Sequence, residues 1–237
     1  MVHFREKDRY DYGDLLEIIR ILRSPEGCPW DQVQTHASIR RGLLEEAYEA
    51  AEAIDRDDAP LLQEELGDVL MQVVFHAAIE EERGRFTFED VCRNVCEKLV
   101  FRHPNIFASS AAENAGINGW DALKNKEKGR TTLADELATV PATLPALMRA
   151  QKLQKRAAGH GLGQQDAAAA QHRLEAAVQD FATADAAAKQ EAAGRLLFAA
   201  VNAARLAGVD AEEALTFASK RFAQQCLEQE QRGTQVE

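Results

Sequence analysis

The stretch "GLLEEAYEAAEAIDRDDAPLLQEELGDVL", Gly42 to Leu70, concentrates acid where a helix should avoid it. Glu46 and Glu49 are three apart, as are Glu65 and Asp68, and Glu45 adjoins the first pair. At about 100° per residue, positions three apart share a helix face. A short connection containing Pro60 separates the two pairs, and short connections make neighbouring helices antiparallel. Two acidic pairs on facing helices would converge into an oxygen-rich cage. Mg²⁺ or Mn²⁺ prefers such a donor set, and a bound cation would relieve the like-charge repulsion. The alternative is a solvated acidic surface. Against it stand the apolar neighbours Leu43, Leu44, Ala47, Ala50, Leu66, Val69 and Leu70, which place the acids beside a core stripe. Gly67 in mid-helix costs about 1 kcal/mol relative to Ala, and is read as a close approach of another backbone.

Cations lie downstream. Lys98 and Arg102 are four apart on a helix that ends before Pro104, and could hold phosphates. Trp120 and Lys124 have the same spacing, an aromatic and a cation fit for a base and a phosphate. Trp30, in "GCPWDQVQTH", could stack on a ligand or plug the core, and composition favours the plug. His103 reads as a cap or packing residue, and Cys92 and Cys96 as packing residues on a helix. His76 could at best lie at the periphery of a metal site.

The elements that must position these groups are helical. Apolar periodicity predicts helices over about 13–23, 36–55, 60–83, 87–101, 118–129, 144–157, 167–184, 187–207 and 210–231, with no convincing period-two stretch. Breaks are expected at Pro25 and Pro29, 57–60, Gly84, 104–119 and 159–163. The fold class is therefore all-α. "GDVLMQVVFHAA" (Gly67 to Ala78) aligns without gaps to "GRLLFAAVNAAR" (Gly194 to Arg205). This internal repeat divides the chain into two related helical domains, 1–130 and 135–237. The second copy lacks the acids: Ala192 and Arg195 stand for Glu65 and Asp68, and Glu175, Ala176 and Gln179 for Glu45, Glu46 and Glu49. Farther on, Arg221 stands for Lys98 and Gln225 for Arg102.

Composition narrows the classes. The 237 residues, 46% hydrophobic, can build real cores, and only 6% are aromatic. The net charge is −11, and the acidic excess falls in the first half, so nucleic acid is a poor partner. Four cysteines without a CxxC pair or a His cluster support neither zinc nor a disulfide framework. No signal peptide or bilayer-spanning apolar run is evident, so no membrane association and a cytoplasmic location are expected.

The ordered series "GCPWDQVQT", Glu45-Glu46-x-x-Glu49, Glu65-x-x-Asp68, "KLVFRHPNIF", "GWDALKNKEK" and "LPALMRAQKLQKRAA" resembles the MazG family of nucleoside triphosphate pyrophosphohydrolases, over almost the whole chain. The resemblance implies tandem all-α bundles that use Mg²⁺, with Mn²⁺ as a substitute, to cleave nucleoside triphosphates to monophosphate and pyrophosphate. It also implies a homodimer with nucleotide pockets near the subunit contact. It assigns Glu46, Glu49, Glu65 and Asp68 as metal ligands. Glu45 takes the place of an acid that holds a second ion or orients water, so Glu45 or Glu49 is the candidate base. Lys98, Arg102, Trp120 and Lys124 take substrate-binding positions, with Trp30 a further candidate. Phe101 and Asn105 depart from the family pattern, which often has basic residues there. The second domain, lacking most ligands, is expected to serve packing or dimerisation. Two other readings are a di-iron carboxylate bundle, which would require a His three residues after a ligand Glu, and a non-catalytic nucleotide-binding or dimerisation scaffold.

Overall fold

A computed structural model of the chain describes residues 4–107, 127–163 and 165–234. All regular structure among them is helical. The chain divides into two compact units, Met1–Ala115 and Gly116–Glu237.

The first unit holds α1 (Tyr12–Arg23), α2 (Pro29–Gln32), α3 (His36–Asp55), α4 (Ala59–Glu82), α5 (Phe88–Arg102) and α6 (Pro104–Phe107). Reciprocal capping boxes open three of these: Asp11 with Asp14 at α1, Thr35 with Ser38 at α3, and Thr87 with Asp90 at α5. Asp58 caps α4 through the Leu61 amide. Between α3 and α4 the chain reverses in three residues, and Asp57 takes a positive φ of 54° to do so. The resulting hairpin is the frame of the unit, with α1 and α5 packed on α4.

The core sits at the open end of that hairpin. Leu16 and Ile19 of α1, Ile39 of α3, and Val74, Phe75, Ala78 and Ile79 of α4 form one buried cluster. Arg20 and Arg23 of α1 each make a two-nitrogen ion pair, with Glu81 and Glu82 at the end of α4. The Arg23 guanidinium also lies 5.0 Å over the Phe75 ring. Toward the closed end the two helices meet through small residues, Ala50 and Ala53. The acidic positions fall in this part, away from the apolar core.

The second unit holds α7 (Leu133–Ala138), α8 (Ala146–Gly159), α9 (Ala167–Thr183), α10 (Lys189–Leu206) and α11 (Ala211–Thr234). Here α9 and α10 form the principal pair, with α8 against α10 and α11 against α8. Its buried residues are mostly Ala (Ala170, Ala177, Ala192, Ala199), with Val140 and Val201.

Every expected helix within the described residues is present, with ends within three residues of expectation. The helix expected over 118–129 lies almost wholly outside them. Three short helices, α2, α6 and α7, escape a periodicity reading because four to six residues do not complete two turns. The expected breaks fall just before Pro29 and Pro104, each of which starts a short helix, since proline fits the first turn.

Three packing expectations are corrected. Leu44, Leu66 and Leu70 are exposed, so the acids do not border a core stripe within this unit. Nothing lies within 4 Å of where a Gly67 side chain would begin, so no backbone approaches there. The close approach is instead at Gly42, where a Cβ would meet Gln72 Nε2 at 2.9 Å. Cys92 and Cys96 are exposed free thiols, because α5 turns that face to solvent.

Candidate metal centre

Glu46 and Glu49 on α3 and Glu65 on α4 meet across the hairpin. One carboxylate oxygen of each lies within 4.8 Å of the other two. Glu46 and Glu65 are half-buried and Glu49 is exposed. Asp68 is outside this group of three but acts on it, as the strongest neighbouring charge felt by Glu46. The carboxyl groups of Glu46 and Glu65 are both pushed above the ordinary range. For Glu46 burial is the largest cause, followed by the charges of Asp68 and Glu49. For Glu65 it is again burial, then Glu49, Glu64 and Asp68. A like-charge cluster that resists ionisation is what a divalent cation reverses, because its own charge dominates the site. Two oxygens on one Mg²⁺ stand at most about 4.2 Å apart, given bonds of about 2.1 Å. The group therefore needs only small side-chain rotations to close on an ion, and its all-oxygen donor set suits a hard cation.

Glu45 is placed differently. Its carboxylate accepts a hydrogen bond from Arg41 Nε at 2.7 Å, one helical turn away on the exposed side of α3. Lys98 and Arg102 lie one turn apart on α5, both half-buried. Trp120 and Lys124 lie outside the described residues.

Trp30 does not plug the core. It is 64% exposed on α2, at the mouth of a cavity of about 100 Å³ lined by Ile19, Leu22, Ile39, Met71 and Phe75. Pro29 starts α2 and Arg23 Nη1 reaches the Asp31 carbonyl at 2.7 Å, which holds this short helix against α1 with the indole outward. His103 caps the end of α5, its Nδ1 2.7 Å from the Leu99 carbonyl, as its type and position imply.

One polar cluster had no clear signal in the sequence. His36 Nδ1 lies 2.7 Å from His76 Nδ1, and His36 Nε2 bonds Glu80. Arg83 and Arg85 reach the same Glu80 oxygen at 3.1 and 2.6 Å. His76 and Glu80 are four apart on α4, which puts them on one face, but nothing in the spacing ties them to His36, forty residues earlier.

In the second unit the corresponding positions carry no comparable group. Ala192 is fully buried, and Arg195 pairs with Glu191 at 2.5 Å. Glu175 accepts from Gln171. Among the described residues, the α3–α4 carboxylates are the one cluster of three or more spaced to share an ion.

The model of the MazG nucleotide pyrophosphohydrolase domain matches residues 34–107, which span α3 to α6. The nucleoside triphosphate pyrophosphohydrolase of Escherichia coli K12 is 43% identical over 217 residues, 88% of this chain and 82% of its own length. The nucleoside triphosphate pyrophosphohydrolase/pyrophosphatase MazG of Thermotoga maritima is 39% identical over 221 residues, 93% of this chain and 86% of its own. Among the described residues, no single helix is long and apolar enough to cross a membrane. Likeness of this extent, with the carboxylates gathered in the matched segment, places the chain in the MazG nucleotide pyrophosphohydrolase family.

Proposed function

We propose that the protein hydrolyses nucleoside triphosphates, non-standard or deoxy forms included, to nucleoside monophosphate and pyrophosphate. The reaction takes place in the first unit alone and requires Mg²⁺, with Mn²⁺ as a substitute. The observation that carries this reading is the convergence of Glu46, Glu49 and Glu65 inside the segment that matches the family. Those three residues and Asp68 would hold the ion, which when bound offsets polyphosphate charge and lowers the pKa of water.

The remaining work falls to the chain's own groups. Glu49, the exposed member of the cluster, would accept the proton of an attacking water. Glu45 is the second candidate, and it must first part from Arg41, an exposed ion pair that costs little to open. Lys98 and Arg102 would neutralise charge on the departing pyrophosphate, with Trp120 and Lys124 on the nucleotide and Trp30 free to stack.

The second unit supports the fold and does no hydrolysis, since Ala176, Gln179, Ala192 and Arg195 leave no ligand set. A homodimer in the cytoplasm completes the reading. Tyr48, Ile54, Leu66, Leu70, Val95 and Leu99 are exposed apolar residues on α3, α4 and α5, which a partner subunit would cover. Turnover of a panel of ribo- and deoxyribonucleoside triphosphates with Mg²⁺ tests the proposal. Monophosphate and pyrophosphate are the expected products, abolished by EDTA. Diphosphate and orthophosphate, or no turnover, would refute it.

A further inference from the structure

The cavity of about 100 Å³ at Trp30 lies within the first unit, among α1, α2, α3 and α4. Apart from the indole, its wall is apolar except at Asp31 and Gln72. Both are half-buried. Arg23 takes the Asp31 carbonyl, but among the described residues neither the Asp31 carboxylate nor the Gln72 amide has a hydrogen-bond or ion partner. A gap left by loose packing has no reason to collect unpaired polar groups. An apolar pocket with a few convergent polar groups is the ordinary form of a small-molecule site. The indole, 64% exposed at the mouth, adds an aromatic face for a flat ring.

The cavity adjoins the carboxylates along the hairpin. Gln72 follows Asp68 by one turn of α4. It comes closest to α3 at Gly42, which precedes Glu46 by one turn. Four residues are about 6 Å of helix. A nucleotide with its polyphosphate at the carboxylates has a ribose and an α-phosphate to cover that gap, which brings its base to the cavity. Size and polarity then select the base. A cavity of about 150 Å³ holds benzene. One of about 100 Å³, open on the Trp30 side, takes a single ring and rejects the fused rings of a purine. A carboxylate accepts from the exocyclic amine of cytosine and repels the carbonyl that uracil has in its place. The Gln72 amide can donate to the remaining acceptors of the ring.

We propose that this cavity binds the base of the substrate and selects cytosine, with Asp31 and Gln72 setting the preference. The identity of the ligand as a nucleotide rests on the function proposed above.

Quenching of tryptophan emission in the full chain, titrated in EDTA with cytidine, uridine and adenosine, tests this without metal, phosphate or turnover. Cytidine is expected to quench saturably. Uridine and adenosine should bind at least about tenfold more weakly, the scale of one lost hydrogen bond to a charged group. Trp30→Phe should abolish the quenching. Gln72→Leu and Asp31→Asn should each weaken cytidine roughly tenfold, and Asp31→Asn should also narrow the gap to uridine. Glu49→Gln should leave binding unchanged. No quenching by any nucleoside would overturn the proposal, as would adenosine binding as tight as cytidine. Quenching kept in Trp30→Phe, or cytidine affinity unchanged in both Asp31→Asn and Gln72→Leu, would overturn it as well. Turnover of CTP, UTP and ATP with Mg²⁺ on the same preparations keeps the two readings apart. Turnover without base preference counts against this proposal alone, and cytidine-selective quenching without turnover counts against the hydrolysis alone.

Discussion

The imidazoles of His36 and His76 stack with centroids 5.0 Å apart and rings 15° from parallel, and their Nδ1 atoms are 2.7 Å apart. One ring must donate at that contact and the other accept, so the pair cannot be doubly protonated without breaking it. Burial, then the His36 charge, holds the His76 pKa below its ordinary 6.5. The folded state thus binds fewer protons than the unfolded state just below pH 6.5, and this contribution to stability is lost as pH falls through that window. Glu80 acts lower still. Its hydrogen bond to His36 and the charge of Arg85 hold its pKa below 4.5, so its contribution fails only as pH drops beneath that value. His76→Phe should flatten the dependence of Tm on pH between about 5.5 and 7, because the group that titrates there is gone. An unchanged slope in the variant would contradict the lowered pKa of His76.

The acid cluster has the opposite sign. Glu46 and Glu65 have raised pKa values in the fold, so their stabilising contribution is present below 4.5 and is lost as pH rises through the folded values. At neutral pH the cluster is a liability in metal-free protein. Glu49→Gln removes a charge that acts on both. It should raise Tm in EDTA, remove the stabilisation given by added Mg²⁺, and lower turnover by roughly 100-fold or more, since even outer partners of metal ligands cost 10–100-fold. Lower Tm in EDTA would contradict the electrostatic account.

Glycine separates two of the readings by stability alone. Gly67 is helical with open space at its Cβ, so Gly67→Ala should stabilise the fold by about 0.5–1 kcal/mol. Gly42→Ala should gain less, because Gln72 must shift to make room. Urea denaturation of both variants checks the order.

Ile79 is 2% exposed in the α1–α3–α4 core. Ile79→Ala should cost about 3 kcal/mol of stability, with no change in metal affinity while the protein remains folded. A loss below about 1 kcal/mol would mean that the site collapses around the smaller side chain.

What the sequence revealed follows from what local spacing encodes. Three-residue spacing on two helices and a proline-bearing link were enough to bring Glu46, Glu49 and Glu65 together, because helix geometry and a short connection leave few arrangements. Helix ends were legible from the breaks between them, as at 57–60 and Gly84. The failures are tertiary. An apolar stripe such as Leu44, Leu66 and Leu70 does not say whether its cover comes from the same unit. A tryptophan's size does not say which way α2 turns it. The His36–His76 contact depends on the register of α3 against α4, which no single helix specifies.

The central claim is that the α3–α4 carboxylates carry the hydrolysis. Pyrophosphate release from a nucleoside triphosphate with Mg²⁺, compared between the wild type and Glu49→Gln/Glu65→Gln, tests it most directly. The account predicts pyrophosphate with equimolar monophosphate from the wild type, and none above background from a double variant that is folded and at least as stable in EDTA. Pyrophosphate release at the wild-type rate from the double variant would place the chemistry elsewhere in the chain and contradict the account.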